Sequence, residues 1–187
     1  YSNEYETIVD TEKVYDNVMN RFKFGGLAEN PDYYLDETTM RMVYTHRVQL
    51  ASLAERLIVE GKKEKALEVL EYAEKMIPSS LVPHSTQMGA ASMGSSYIIL
   101  GEKSKAMSVI EPTCNDLLEN LQWYESLSNR HQRAIMSDYG RNLNQLLLMT
   151  EVLSEGGDAY KEEVKRYKAE FNKHYSIWKA KQQGKRS

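Results

Sequence analysis

LASLAERLIVEGKKEKALEVLEYAEKMIP, residues 50–78, decides how this chain folds. Leu50, Leu53 and Leu57 recur at steps of three and four, which places them on one face of a helix with Ala54 as a notch beside the ridge. Gly61 closes that helix. Ala66, Val69, Leu70, Ala73, Met76 and Ile77 form the buried face of a second helix, and Pro78 stops it. The same arrangement returns in AASMGSSYIILGEKSKAMSVI, residues 90–110. There Met93 and Tyr97 make the ridge, Gly94 the notch and Gly101 the turn, and Ala106 and Ile110 answer from the second helix. The small residues let two backbones approach closely, so each stretch predicts an antiparallel helical hairpin.

This spacing resembles the tetratricopeptide repeat, although the two turn glycines lie 40 residues apart against about 34 in the standard unit. The connector 79–86 accounts for the excess. The expectation is an all-α, tetratricopeptide-like α-α superhelix of about six or seven helices in one domain, 1–187. It is laid out as an N-terminal helix and loop (1–35), repeat 1 (36–78), repeat 2 (87–121) and an irregular hairpin with a capping helix (129–180). In the first part Val14, Tyr15, Val18, Met19 and Phe22 form an apolar stripe that Phe24-Gly25-Gly26 ends. A loop over 27–35, marked by Asn30-Pro31, leads to Asp36, a natural cap for the helix that carries Val43, His46 and Leu50. Trp123-Tyr124 reads as a linker, 129–154 as one helix, and Gly156-Gly157 as the break before a last helix. That helix carries Tyr160, Val164, Tyr167, Phe171, His174 and Trp178 at steps of four and three, the seam of a terminal cap.

Composition is ordinary for a globular protein of 187 residues, 41% hydrophobic and 27% charged. No apolar run is long enough to cross a bilayer. The net charge of −3 is unevenly spread: residues 1–40 hold nine acids against three bases, and residues 160–187 nine bases against three acids. The single cysteine, Cys114, excludes an internal disulfide and falls in an apolar helical series, where a buried, inert thiol is expected.

Asp10–Gly25, Tyr34-Leu35-Asp36-Glu37-Thr38, Arg41-Met42, Thr45-His46-Arg47, Met76-Ile77-Pro78 and Val82-Pro83-His84 resemble the C-terminal soluble part of a family of bacterial multispanning membrane proteins similar to protein O-mannosyltransferases. The resemblance is dense over residues 10–125. It implies a missing N-terminal portion with many membrane spans and the sugar-transfer site, consistent with a chain that does not start with Met. The present chain is then expected to be a helical-repeat appendage on the periplasmic side of the bacterial inner membrane. No catalytic residue of the family falls within it.

A search for chemistry returns no constellation. Gly101-Glu102-Lys103-Ser104 lacks the glycine spacing of a phosphate loop. Histidines 46, 84, 131 and 174 stand without metal-ligand partners in spacing, and no nucleophile elbow occurs. The chain is therefore expected to be no enzyme, with no cofactor and no metal. His46 reads as a core histidine on the stripe of its helix; His84, after Pro83, reads as a structural turn or an exposed binding group. Tyr34, Asp36 and Arg41 are explained by capping and packing.

In tetratricopeptide proteins that hold a terminal carboxylate, groove helices present cations. Resemblance to that geometry assigns Val48, Ala51, Glu55 and Ile58 to a first groove helix and Met88, Ala91, Ser95 and Ile98 to a second, with Tyr34 and His84 as further partner-binding candidates. No cation is among them, so a carboxylate clamp is not expected. The expected role is a non-catalytic protein-interaction or accessory domain of a membrane glycosyltransferase-like protein. It would position an acceptor polypeptide, a partner or the parent's own membrane domain. The alternative is carbohydrate or lipid-head-group binding through Tyr33, Tyr34, Trp123 and Tyr124 with the basic last helix. Nucleic acid is not an expected partner, because the balance is acidic and no basic stripe interleaves with aromatics outside the last helix.

Overall fold

The computed structural model describes residues 9–30 and 32–183. Pro31 of the expected loop, the acids Glu4 and Glu6, and the terminal bases Lys185 and Arg186 lie outside the described residues. The described chain is all-α, with eight α-helices and no strand. It divides into two compact units, within residues 1–83 and 84–187.

The first unit holds α1 (Thr11–Asn20), α2 (Glu37–Val59) and α3 (Lys63–Met76). Asp10 and Asp36 cap α1 and α2 by accepting from the backbone N–H of Lys13 and Thr39, which satisfies donors that the first turn leaves free. α2 and α3 form the hairpin read from residues 50–78. Ala54, Leu57, Ala66, Val69, Leu70 and Ala73 are fully buried along their contact. Gly61 closes the hairpin at φ +77°, a left-handed conformation that only glycine adopts without strain. Its N–H donates to Ile58 O and that of Lys62 to Leu57 O, a double C-cap.

His46 is exposed rather than in the core. The buried register runs Val43, Arg47, Leu50, Ala54, Leu57, and His46 stands one residue, about 100°, off it. The position that an apolar reading missed is held by Arg47, a fully buried arginine. Its Nη2 donates to Ile77 O at 2.9 Å and Val82 O at 2.7 Å, and its Nη1 to Pro83 O at 3.1 Å. Helix α3 ends at Met76, before Pro78, and leaves the Ile77 carbonyl without a helical partner. Arg47 binds it together with the Val82 and Pro83 carbonyls of the connector and fixes the chain over 77–83.

The second unit holds α4 (Ala90–Ile99), α5 (Lys103–Ser126), α6 (Asn129–Ala134), α7 (Met136–Glu155) and α8 (Lys161–Gln183), with 3-10 turns at Thr86–Met88 and Gly157–Tyr160. α4 and α5 form the second hairpin. Gly101, at φ +79°, repeats the cap: its N–H donates to Ile98 O and that of Glu102 to Tyr97 O. At Gly94 a Cβ would stand 2.8 Å from Ile110 Cγ1, so this notch is fully occupied.

Two boundaries differ from expectation. Trp123 and Tyr124 lie in the last turns of α5, not in a linker. The residues 129–154 divide at Ile135, whose ψ of 11° departs from helix, and this break makes the helices eight. The reason is tertiary: the Gln132 side chain donates to Glu125 O and Leu127 O and ties α6 back onto the end of α5. α7 packs on α4, α5 and α8. Along α8 and the turn before it, Tyr160, Tyr167 and His174 are buried and Val164, Phe171 and Trp178 half-buried, the seam read from their spacing.

Candidate functional site

Three elements of the first unit surround one cleft. α1 is held against the α2–α3 turn by polar contacts at its start: Thr11 Oγ1 donates to Glu60 Oε2 at 2.7 Å, and Lys62 Nζ pairs with Glu12 at 2.7 Å and with Glu60 at 2.6 Å. Lys65 also pairs with Glu12, and Tyr15 donates to Glu68. The two lysine hydrogen bonds pull the Glu12 carboxyl down to about 2. On α1 only Thr11 and Val18 are buried outright. Phe22, expected at the end of that stripe, lies beyond the helix and is 54% exposed.

The turn that follows Phe22 brings Phe24 edge-on to His46 and to Tyr72, each at 5.8 Å. Residues Arg21 to Gly25, Leu27, Tyr33 to Leu35, and Thr39, Met42, Val43 and His46 of α2 line a cleft of about 720 Å³. A smaller hole of about 240 Å³ shares Phe22, Phe24 and His46 and reaches down to Val14, Val18, Leu50 and Leu53. Tyr34, at 91% exposed, and Met42, at 62%, stand at the cleft with Phe22. Packing, the sequence reading for Tyr34, does not account for a ring this free. Asp36 is used by its cap, which lowers its carboxyl, and Arg41 pairs with Glu37 at 2.7 Å.

The residues assigned to groove helices behave differently. Ala51 is 1% exposed and offers no surface, contrary to its assignment. Glu55 is exposed, and Val48 and Ile58 are half-buried on α2. In the second unit Ala91 and Ile98 of α4 are half-buried, and Met88 sits in the 3-10 turn before it. Ser95 is engaged, donating to Glu155 Oε2 at 2.8 Å, because α7 packs on α4. His84 is buried, which excludes the exposed alternative; it belongs to the second unit and Tyr34 to the first. At the end of α5 the rings of Trp123 and Tyr124 meet at a tilt, 5.2 Å between centroids, and Tyr124 meets Tyr139 of α7 at 5.9 Å.

A second polar cluster went unread in the sequence. His174 Nδ1 lies 2.6 Å from Glu125 Oε1 and its Nε2 3.6 Å from Glu170 Oε2. Tyr139 donates to Glu125 and shares its hydroxyl with His174 O at 3.1 Å. Burial first, then the Glu125 hydrogen bond, raise the Tyr139 phenol far above its ordinary value, so it remains a donor. His174 is 0% and Tyr139 3% exposed. Glu125 and Glu170 keep part of their surface exposed, and the cluster ties α5, α7 and α8 together. No spacing rule finds it, since its members come from three helices. Cys114 is buried, and burial pushes its thiol up to about 12. Among the described residues no three His, Cys, Asp or Glu side chains gather in a way that could hold a metal ion.

No family model, curated protein or solved structure matches this chain.

Proposed function

We propose that this chain is a non-catalytic polypeptide-binding module and that the cleft of its first unit holds the partner. One observation carries the reading: Phe22, Tyr34 and Met42, three of the most exposed large apolar side chains, converge on a single opening. Exposing such a group in water is unfavourable, and contiguous apolar patches mark binding surfaces. Aromatic residues and Met are the types enriched where protein partners meet. The volume falls within the range of ligand clefts.

The two hairpins are read as tetratricopeptide-like repeats. This reading is supported by the matching glycine caps at 61 and 101, by the equivalent notches Ala54 and Gly94, and by the equivalent burial of Ala66 and Ala106. The resemblance over residues 10–125 supports the wider setting, a periplasmic accessory part of a membrane glycosyltransferase-like protein that positions an acceptor polypeptide. Hydrophobic spans encoded upstream of Tyr1 are the expected finding there, and a continuous non-membrane domain refutes that setting.

Selection from a random peptide display library on the full chain tests the binding role. Peptides rich in aromatic or large aliphatic residues are expected, and Phe22→Ser with Tyr34→Ser should lose them while thermal stability holds. Both rings are exposed, so little packing goes with them. If the library yields no binder, or the double variant binds undiminished, the cleft is not the site. Saturable binding of neutral glycans in the absence of any peptide ligand would favour the carbohydrate alternative through Tyr33 and Tyr34.

A further inference from the structure

The first forty residues are strongly acidic, with nine carboxylates and three bases. The cleft inverts that balance. Two of the three bases, Arg21 and Lys23, are in its lining together with the His46 ring, and among the described residues none of the segment's seven carboxylates is. Of the acids next to the lining in sequence, Asp36 accepts from Thr39 and Glu37 from Arg41, while Asp32 and Glu29 lie outside the lining. Among the described residues Arg21 is held only by an exposed contact to Asp16 at 3.4 Å, and Lys23 has no ion pair. The result is an apolar opening flagged by positive charge within an acidic segment.

We infer that its occupant is an acidic polypeptide segment carrying one large apolar or aromatic anchor. This rests on the polypeptide-binding reading above and names the partner's chemistry. The anchor side chain enters the hole beneath Phe22 and Phe24, where Val14, Val18, Leu50 and Leu53 surround it. Carboxylates beside the anchor meet Arg21 and Lys23 at the rim. Burial of the anchor supplies affinity, and charge selects among segments with the same anchor. An anionic membrane surface is the weaker match, because such surfaces recruit clusters of about four to eight basic side chains and this rim has two.

Fluorescence anisotropy with three short labelled peptides on the full chain tests the inference. One peptide alternates Asp with Phe and Leu, one replaces every Asp by Lys, and one keeps Asp but replaces Phe and Leu by Ser. The Asp/Phe peptide should bind roughly three- to tenfold tighter than the Lys/Phe peptide, the range that two exposed charge contacts supply. The difference should shrink as salt is raised, and the Asp/Ser peptide should not bind. The double variant Arg21→Glu, Lys23→Glu changes only exposed side chains and should reverse the preference with an unchanged circular dichroism melt. Equal affinity of wild type for the Asp and Lys peptides overturns the charge selection and leaves the polypeptide-binding role standing. Absence of binding by every Phe-containing peptide overturns both. Binding to phosphatidylglycerol vesicles without peptide binding, or a dimer of the chain that Phe22→Ser dissolves, assigns the cleft to another occupant and overturns the inference.

Discussion

Replacing Arg47 by Met should destabilise the first unit by about 2–4 kcal/mol. Met keeps much of the volume and none of the donors, so Ile77 O, Val82 O and Pro83 O lose the groups now 2.7–3.1 Å away. Hydrogen bonds from a charged donor contribute about 1.5–3 kcal/mol each. Against three of them stands the cost of holding a guanidinium out of water, several kcal/mol, a cost visible in the burial that lowers the Arg47 pKa. The difference is favourable, and the carbonyls left behind make removal costlier than a balance of the intact contacts alone. Arg47→Lys should fall between, since a single ammonium cannot reproduce the planar fork that reaches three acceptors. Urea unfolding gives the free energies, and amide exchange tells where the loss occurs: protection should fall first at Val82 and Ile77. A Met variant within about 0.5 kcal/mol of wild type, or one whose loss lies outside residues 77–83 and their neighbours, refutes the clamp.

Gly94→Ala places a methyl 2.8 Å from Ile110 Cγ1, and overpacking should cost about 1–3 kcal/mol by thermal unfolding; Ala106→Leu in the facing helix should cost a similar amount, and Ala66→Leu likewise in the first unit. Glu12 is depressed from a usual 4.5 to about 2 by its lysine partners, so its contribution is complete above the usual value and is lost as pH falls from 4.5 toward 2. Acid unfolding of Glu12→Gln should therefore be less steep across that window than wild type, measured by circular dichroism. Cys114, with its thiol pushed up to about 12 by burial, should resist iodoacetamide at neutral pH until the chain is unfolded in urea, and rapid labelling of native protein would contradict its burial.

The parts of the fold legible in sequence are those that local chemistry writes. Asp36 caps the helix that follows it, and Gly61 and Gly101 stop one wherever they fall, because left-handed backbone favours glycine. Arg47 was unreadable for the opposite reason. A cation on an apolar face signals exposure until the three carbonyls that surround it are known, and these come from residues thirty or more positions away. His46 was misread as the core residue for the same cause: the stripe predicts a face, and one residue of error turns it by about 100°.

The candidate site divides in the same way. Tyr33 and Tyr34 were conspicuous as aromatics at a loop-to-helix junction, but nothing in their spacing brought Phe22 and Met42 to them. The amino-acid sequence by itself determined that the chain is helical, where its two hairpins turn and which small residues let them close. These are matters of periodicity, capping and backbone sterics, all settled within a few residues. Only the tertiary structure decided which apolar side chains remained without cover, which buried polar groups found partners, and that two bases of an acidic segment stand together at a cleft. Those outcomes depend on contacts between residues far apart in the chain, and a linear pattern does not encode which of them form.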